Sequence, residues 1–244
     1  RWDGRLSATL DAKPAADFVI AARSGAYSAR GTVEGSAMTG SGLVQRMAMP
    51  RLTIRANGTM VDRIIDGTLS LRSAAIDLAA DGAIDLRNNA LDNMRIDLNL
   101  ARPEALIKGM RGKDVMAKVR LDGPFTSLGY EYLLTARQLA FEKALINDVR
   151  AEGKGRAVRS GPALIPFRLR ARRLDGQGEL VETILRNFSL DGVFQLHGQQ
   201  LVSNPMQLRS DKLRGKLTMI ADLKTGRYDV GLDGQIIGLA IRGL

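Results

Sequence analysis

The chain has 244 residues, no cysteine, and a formal charge of +10 from 36 Lys and Arg against 26 Asp and Glu. That length can bury a core without disulfide staples, and the lack of cysteine excludes thiolate metal sites and cross-links while leaving the redox compartment open. No run approaches the roughly 18 uninterrupted apolar residues that a helix needs to cross a bilayer.

The chain opens at Arg1 with neither an initiator methionine nor an apolar leader, and it stops at Leu244 just after the apolar run Ile236 to Ile241. Both ends read as cut, so a single elongated β-repeat segment of a larger protein is expected over 1–244, with any signal or membrane anchor outside it.

In chain order, Gly25-Ala26-Tyr27 opens a glycine-x-tyrosine strand, and the glycine-rich stretch Gly31 to Gly42 reads as loop or strand. From Arg51 onward a two-residue alternation dominates, the period of a strand with one buried and one wet face. Leu52, Ile54 and Ala56 alternate with Arg51, Thr53 and Arg55; Ile65, Gly67, Leu69 and Leu71 follow. Met94, Ile96, Leu98 and Leu100 come next. Pro103 to Met110 breaks the pattern and predicts a short helix, with proline in the first turn and Gly109 and Gly112 at the exit. Val115, Ala117, Val119 and Leu121 resume the alternation, and Gly129-Tyr130 repeats the tyrosine motif.

The glycines from Gly153 to Gly161 match neither a phosphate loop nor a dinucleotide fingerprint. A second short helix is predicted over Glu179 to Arg186, where Leu180, Val181, Ile184 and Leu185 share a stripe. Each helix is about two turns long, so it needs the sheet to persist and is expected to plug an open end or face. Leu190, Gly192, Phe194 and Leu196 then form an apolar strand face, with His197 opposite beside Gln195. Leu217, Met219, Ala221 and Leu223, then Tyr228, Val230 and Leu232, complete the set.

One-sided alternation argues against a helix-covered parallel sheet, whose strands read as continuous apolar runs. The fold class is therefore all-β: an elongated, mostly antiparallel curled sheet, a β-groove, with two short helices at 103–110 and 179–186. Asp-Gly at residues 66, 81, 122, 175, 191 and 233, with Asn57-Gly58, supplies turn signals, though some of these pairs continue the alternation and read as strand glycines.

The basic residues mostly fall singly at alternate positions, the one dense run being Arg168, Arg170, Arg172 and Arg173. They read as a solvated strand face, with anionic lipid headgroups as the sharper alternative. Nucleic acid is not expected, because only 5% of residues are aromatic and stacking platforms are scarce.

Catalytic chemistry is not expected either, and no cofactor or metal. His197 stands alone, and Asp81 and Asp85 on one strand lie roughly 13 Å apart, too far for a two-carboxylate glycosidase site. The methionines Met60, Met94 and Met219 read as ordinary core.

The runs Asn187-Phe188-Ser189-Leu190-Asp191-Gly192-Val193-Phe194, Asn204 to Asp211 and Gly226 to Gly234 resemble repeats of the TamB proteins and their AsmA-like relatives, including the YdbH type. The basic, alanine-rich composition is similar to the alphaproteobacterial members. The resemblance implies a periplasm-spanning protein anchored in the inner membrane, whose apolar trough moves phospholipid between the membranes or assists outer-membrane protein translocation and assembly beside a TamA-like barrel partner.

On that reading the guest is a phospholipid acyl chain or an unfolded β-substrate. The inward residues that would meet it are Ile54, Leu69, Leu71, Ile96, Leu98, Val119, Leu121, Phe194, Leu196, Leu217, Met219, Leu223, Tyr228, Val230 and Leu232. The rival reading is a structural or adhesive secreted β-solenoid with no transport role.

Overall fold

The computed structural model of the chain describes residues 2–10, 13–35, 42–107, 109–158, 161–222, 224–225 and 227–238. The protein is all-β: the described residues form seventeen strands and two short α-helices, in two compact units, Arg1–Leu128 and Gly129–Leu244.

In the first unit the strands are β1 (Trp2–Leu10), β2 (Lys13–Arg23), β3 (Ala26–Glu34), β4 (Arg51–Val61), β5 (Ile64–Arg72), β6 (Ile76–Asp85), β7 (Ala90–Leu100), β8 (Met110–Lys113) and β9 (Val115–Pro124). Helix α1 (Gly42–Ala48) precedes β4, and one 3-10 turn, Pro103–Ala105, precedes β8. Strands β1 to β6 pair antiparallel with their successors and β7 pairs antiparallel with β9.

The second unit takes in β10 (Ser127–Phe141), β11 (Ala144–Val158), β12 (Ala163–Asp175), α2 (Glu179–Ile184), β13 (Arg186–His197), β14 (Gln200–Ser203), β15 (Met206–Arg209), β16 (Leu213–Asp222) and β17 (Tyr228–Ile236). Strands β14 and β15 are two halves of one line broken at Asn204-Pro205. Both pair with β13 on one side and β16 on the other. Proline supplies no ladder donor, so the line breaks there.

Two local expectations change. The helix expected over 103–110 is one 3-10 turn: Gly109 takes φ +84° and Met110 is already in β8. Helix α1 arises just after the glycine-rich stretch, where no helix was expected, and is held by tertiary bonds: Arg46 Nε donates to the Ala105 carbonyl at 3.2 Å. The second expected helix is present, ending at Ile184. Of the turn dipeptides, only Asp175-Gly176 leaves a strand, the other six lying inside β4, β5, β6, β9, β13 and β17. Tight hairpins form at Ser24-Gly25 and Asp62-Arg63, where both residues take positive φ, the primed geometry that matches strand twist.

The two units share one local plan that the sequence reading missed. Each runs helix, strand, hairpin, strand, Leu-Arg-Ser, strand: α1 through β6 in one, α2 through β16 in the other. The serine makes the same bonds in both. Ser73 Oγ donates to the Met47 carbonyl at 2.6 Å and accepts from the Ala75 and Ile76 amides. Ser210 Oγ donates to the Ile184 carbonyl at 2.6 Å and accepts from the Lys212 and Leu213 amides. The next hairpin repeats as well: Asp85 Oδ1 accepts from the Arg87 and Asn88 amides, Asp222 Oδ1 from Lys224 and Thr225.

The serine clamp ties each helix to one end of the apolar strand face, where the deepest burial lies. Ala48, Ile76, Leu100, Pro103 and Val115 are buried there in the first unit, and Ala171, Ile184, Phe188, Met206 and Leu213 in the second. Ser73→Ala or Ser210→Ala strands one carbonyl and two amides at a partly buried site. Each is expected to lower unfolding free energy by about 2 kcal/mol in urea titrations. A loss below about 0.5 kcal/mol would mean that water replaces the hydroxyl.

Candidate functional site

Antiparallel register turns the alternation of single strands into rows that cross many strands. In the first unit Ile20, Ala29, Ala56, Leu69, Ala80, Ile96 and Val119 face one another in sequence from β2 to β9. The next row runs Phe18, Gly31, Ile54, Leu71, Leu78, Leu98 and Ala117. Leu121 stands opposite Met94 on the same face. The expected inward residues of this unit therefore share one face, and Ile54, Leu71, Ile96, Leu98, Val119 and Leu121 are half-buried there.

Along this face lies an apolar cleft of about 510 Å³ spanning β2 to β7. Its floor is the row Tyr27, Gly58, Gly67 and Gly82, with three strands that lack a side chain at the same level. Met60, Ile65 and Ile84 wall one side, Ile20 and Leu69 the other. The glycines are required by close backbone approach: a Cβ on Gly67 would stand 2.5 Å from the Asn57 carbonyl oxygen, and one on Gly82 2.6 Å from Met94 Cα. Gly82 also takes φ +142° at a bulge where β6 and β7 slip register, which brings Met94 to the cleft. The bulge leaves Asn93 Oδ1 buried with no partner, while the Asn93 amide donates to Asp122 Oδ1 at 3.0 Å.

The cleft is accessible: Tyr27 is 44% exposed, Met60 39% and Leu69 37%. Its size is within the range of roughly 300–1,000 Å³ typical of ligand sites, and its walls carry hardly any polar group. Among the guest-contacting residues expected from the sequence, only Leu69 lines it. Ile65 was read as apolar strand face and Met60 and Met94 as ordinary core, and Tyr27 and Ile84 were missed. The available signal was glycine at one level in successive hairpin strands, which can be aligned only once the hairpin registers are known.

In the second unit the apolar rows are Ile165, Phe194 and Ser203, then Phe167, Gly192 and a row Met206, Leu217, Leu232. Phe167 and Phe194 meet edge to face at 5.3 Å. Phe194, Leu196, Leu217 and Met219 are half-buried, whereas Tyr228, Val230 and Leu232 on β17 are 59%, 46% and 56% exposed. Leu223 lies outside the described residues.

Comparison with family models, with curated proteins and with solved structures found no match.

Polar chemistry is sparse on both units. His197 is exposed and its Nε2 lies 3.2 Å from Gln195 Oε1; no cluster among the described residues could hold a metal. Asp85 is engaged in its turn, where the Asn88 side chain and amide hold its carboxyl below the usual range.

On the apolar-parity face of the second unit, Tyr130 and Tyr132 lie over Gly155 and Gly153 of β11 and reach across to β12, donating to the Leu164 and Pro166 carbonyls. Burial, with the neighbouring Tyr130 adding to it, pushes the Tyr132 phenol up to about 12. The neutral phenol is favoured in the fold, so its contribution to stability is complete below the ordinary value of 10.0 and is lost as pH rises from there to about 12. Tyr132→Phe is expected to remove the latest tyrosinate step from an ultraviolet titration and to flatten the decline of stability above pH 10.0. A titration with all tyrosines ionising together near pH 10.0 would contradict the buried placement.

Proposed function

We propose that the apolar strand face holds the acyl chains of phospholipids, and that the chain is a segment of a TamB-like or AsmA-like protein of the bacterial periplasm. In that setting an inner-membrane anchor beyond this segment and a TamA-like outer-membrane barrel would be its neighbours, and lipid passing between the membranes its cargo, with unfolded β-substrate the other guest such a face suits. The observation that carries the reading is the open cleft over Gly58, Gly67 and Gly82. Its walls offer area but no directional polar contact, which suits a chain of methylenes bound without headgroup specificity, each worth roughly 0.8 kcal/mol when buried.

The apolar rows continue beyond the cleft to Ile96 and Val119, giving a guest somewhere to slide at nearly constant energy. A conduit needs that evenness, since a deep single site would hold its cargo rather than pass it on.

Photo-crosslinkers at Leu69, Met60, Leu217 and Leu232 are expected to yield lipid adducts in cell envelopes, while Arg55, Ser70 and Asp81 on the opposite face of the first unit yield none. Ala80→Trp should fill the cleft and reduce bound phospholipid by about tenfold, the loss of roughly two buried methylenes, with the fold intact by circular dichroism. Equal adducts on both faces of the first unit, or none on either, would defeat the proposal.

A further inference from the structure

The opposite, wet face of the second unit carries a row of arginines that single-strand reading does not show. Strand registers place Arg150 opposite Arg170, Arg170 opposite Ser189, Ser189 opposite Arg209, and Arg209 opposite Arg214. Four guanidinium groups thus lie on one line across β11 to β16, about 19 Å long at ~4.8 Å per strand step. All four arginines are exposed. Arg150 bonds Glu152 at 2.9 Å, but Arg170, Arg209 and Arg214 have no ion-pair partner among the described residues. Like charges directly opposite each other destabilise a sheet.

The first unit shows that the fold does not require this row. The same level of its shared plan reads Asp17, Thr32, Thr53, Arg72, Asp77 and Asn99. Thr53 stands where Ser189 does and Arg72 where Arg209 does, but Arg72 faces Asp77 and binds it at 2.8 Å. Asp17 is likewise bonded by Arg5. One copy is neutralised along its length; the other replaces every acid in the row by arginine. The row next to it in the second unit is also balanced, with Arg168 bonded to Asp191 and Lys216 facing Asp233. The adjoining row thus sets acids against its cations, whereas the row of Arg150, Arg170, Ser189, Arg209 and Arg214 holds no acid.

We propose that this arginine row docks the protein on an anionic phospholipid bilayer, with Arg170, Arg209 and Arg214 each engaging headgroup phosphates. Guanidinium forks match phosphate oxygens two at a time, and an exposed file of them suits an array of repeated phosphates rather than one small anion. The row holds no aromatic side chain on which a base could stack, which disfavours single-stranded nucleic acid. The surface is separate from the apolar cleft, so either reading stands if the other fails.

Flotation of the 244-residue chain with vesicles of phosphatidylcholine alone, or mixed with phosphatidylglycerol, tests it. Binding to the anionic vesicles alone is expected at about 0.1 M salt and its loss at about 0.5 M. R170Q/R209Q/R214Q should weaken binding on the order of 100-fold, from about fivefold per arginine. The charge-matched R5Q/R51Q/R72Q, which removes arginines already in ion pairs, should bind the anionic vesicles more tightly than that triple variant. R214D rebuilds the Arg72–Asp77 arrangement, so it should fold at least as stably as the parent and still bind less. Equal losses in both triple variants, no binding by the parent chain, or binding of soluble duplex DNA as tight as that of the vesicles would overturn the proposal.

Discussion

Register is the constraint on which the rest of this structure depends. Side chains alternate faces along a strand, so an apolar residue at every second position means little until neighbouring strands agree on which residue stands opposite which. Short hairpins enforce that agreement between β2 and β3 and from β4 to β7, pairing of β3 with β4 joins the two sets, and the result is a series of rows that cross the sheet. The apolar lane, the glycine floor of the cleft and the arginine row are all products of this cross-strand order. A slip of one residue in a single hairpin would bring Arg55 or Ser70 into the lane and break the cleft.

The cleft follows from glycine more than from any apolar side chain. A sheet face lined throughout by leucine and isoleucine would hold no recess at the level of Gly67. Removing the side chain from three adjacent strands opens one and also lets the backbones approach where a Cβ would collide. The bulge at Gly82 ends this floor by turning Met94 onto the face, at the cost of a buried amide oxygen without a partner. Strain of that kind in a sheet otherwise well paired is a common mark of a site kept for use.

How far the molecule could be read from its sequence depends on the range of the cause. Alternation is local, so the all-β class and the facing of Ile54, Leu71, Ile96 and Val119 were legible. Asp66-Gly67 and Asp81-Gly82 looked like turns because the dipeptide favours positive φ; they are strand residues because the constraint on them comes from the neighbouring strand's backbone, which no window of sequence contains. Helix α1 was missed for the same reason, since its stability comes from Arg46 on the Ala105 carbonyl and the Ser73 hydroxyl on the Met47 carbonyl, bonds across long stretches of chain. The helix expected at Pro103 stops already at Ala105, and Gly109, read as its exit, takes positive φ at the entry to β8 instead.

The internal repeat supplies a comparison that no relative provides. Two copies of one local plan, with the same serine clamp and the same aspartate turn, differ where folding does not dictate the residue. Where both copies agree, as at Ser73 and Ser210 or Asp85 and Asp222, the shared bonds account for the residue. Where they disagree, the fold tolerates either choice and something else must explain the less stable one. The Arg72–Asp77 pair is electrostatically favourable and the Arg209–Arg214 pair is not, although both sit on exposed strands at the same level of the same plan. Exposure screens the repulsion to a small penalty, so the row can persist, but screening alone gives no reason for acids to be absent from it. An external anion that contacts several arginines at once would reverse the sign of that penalty, and among the chemical features of this face it is the simplest that does.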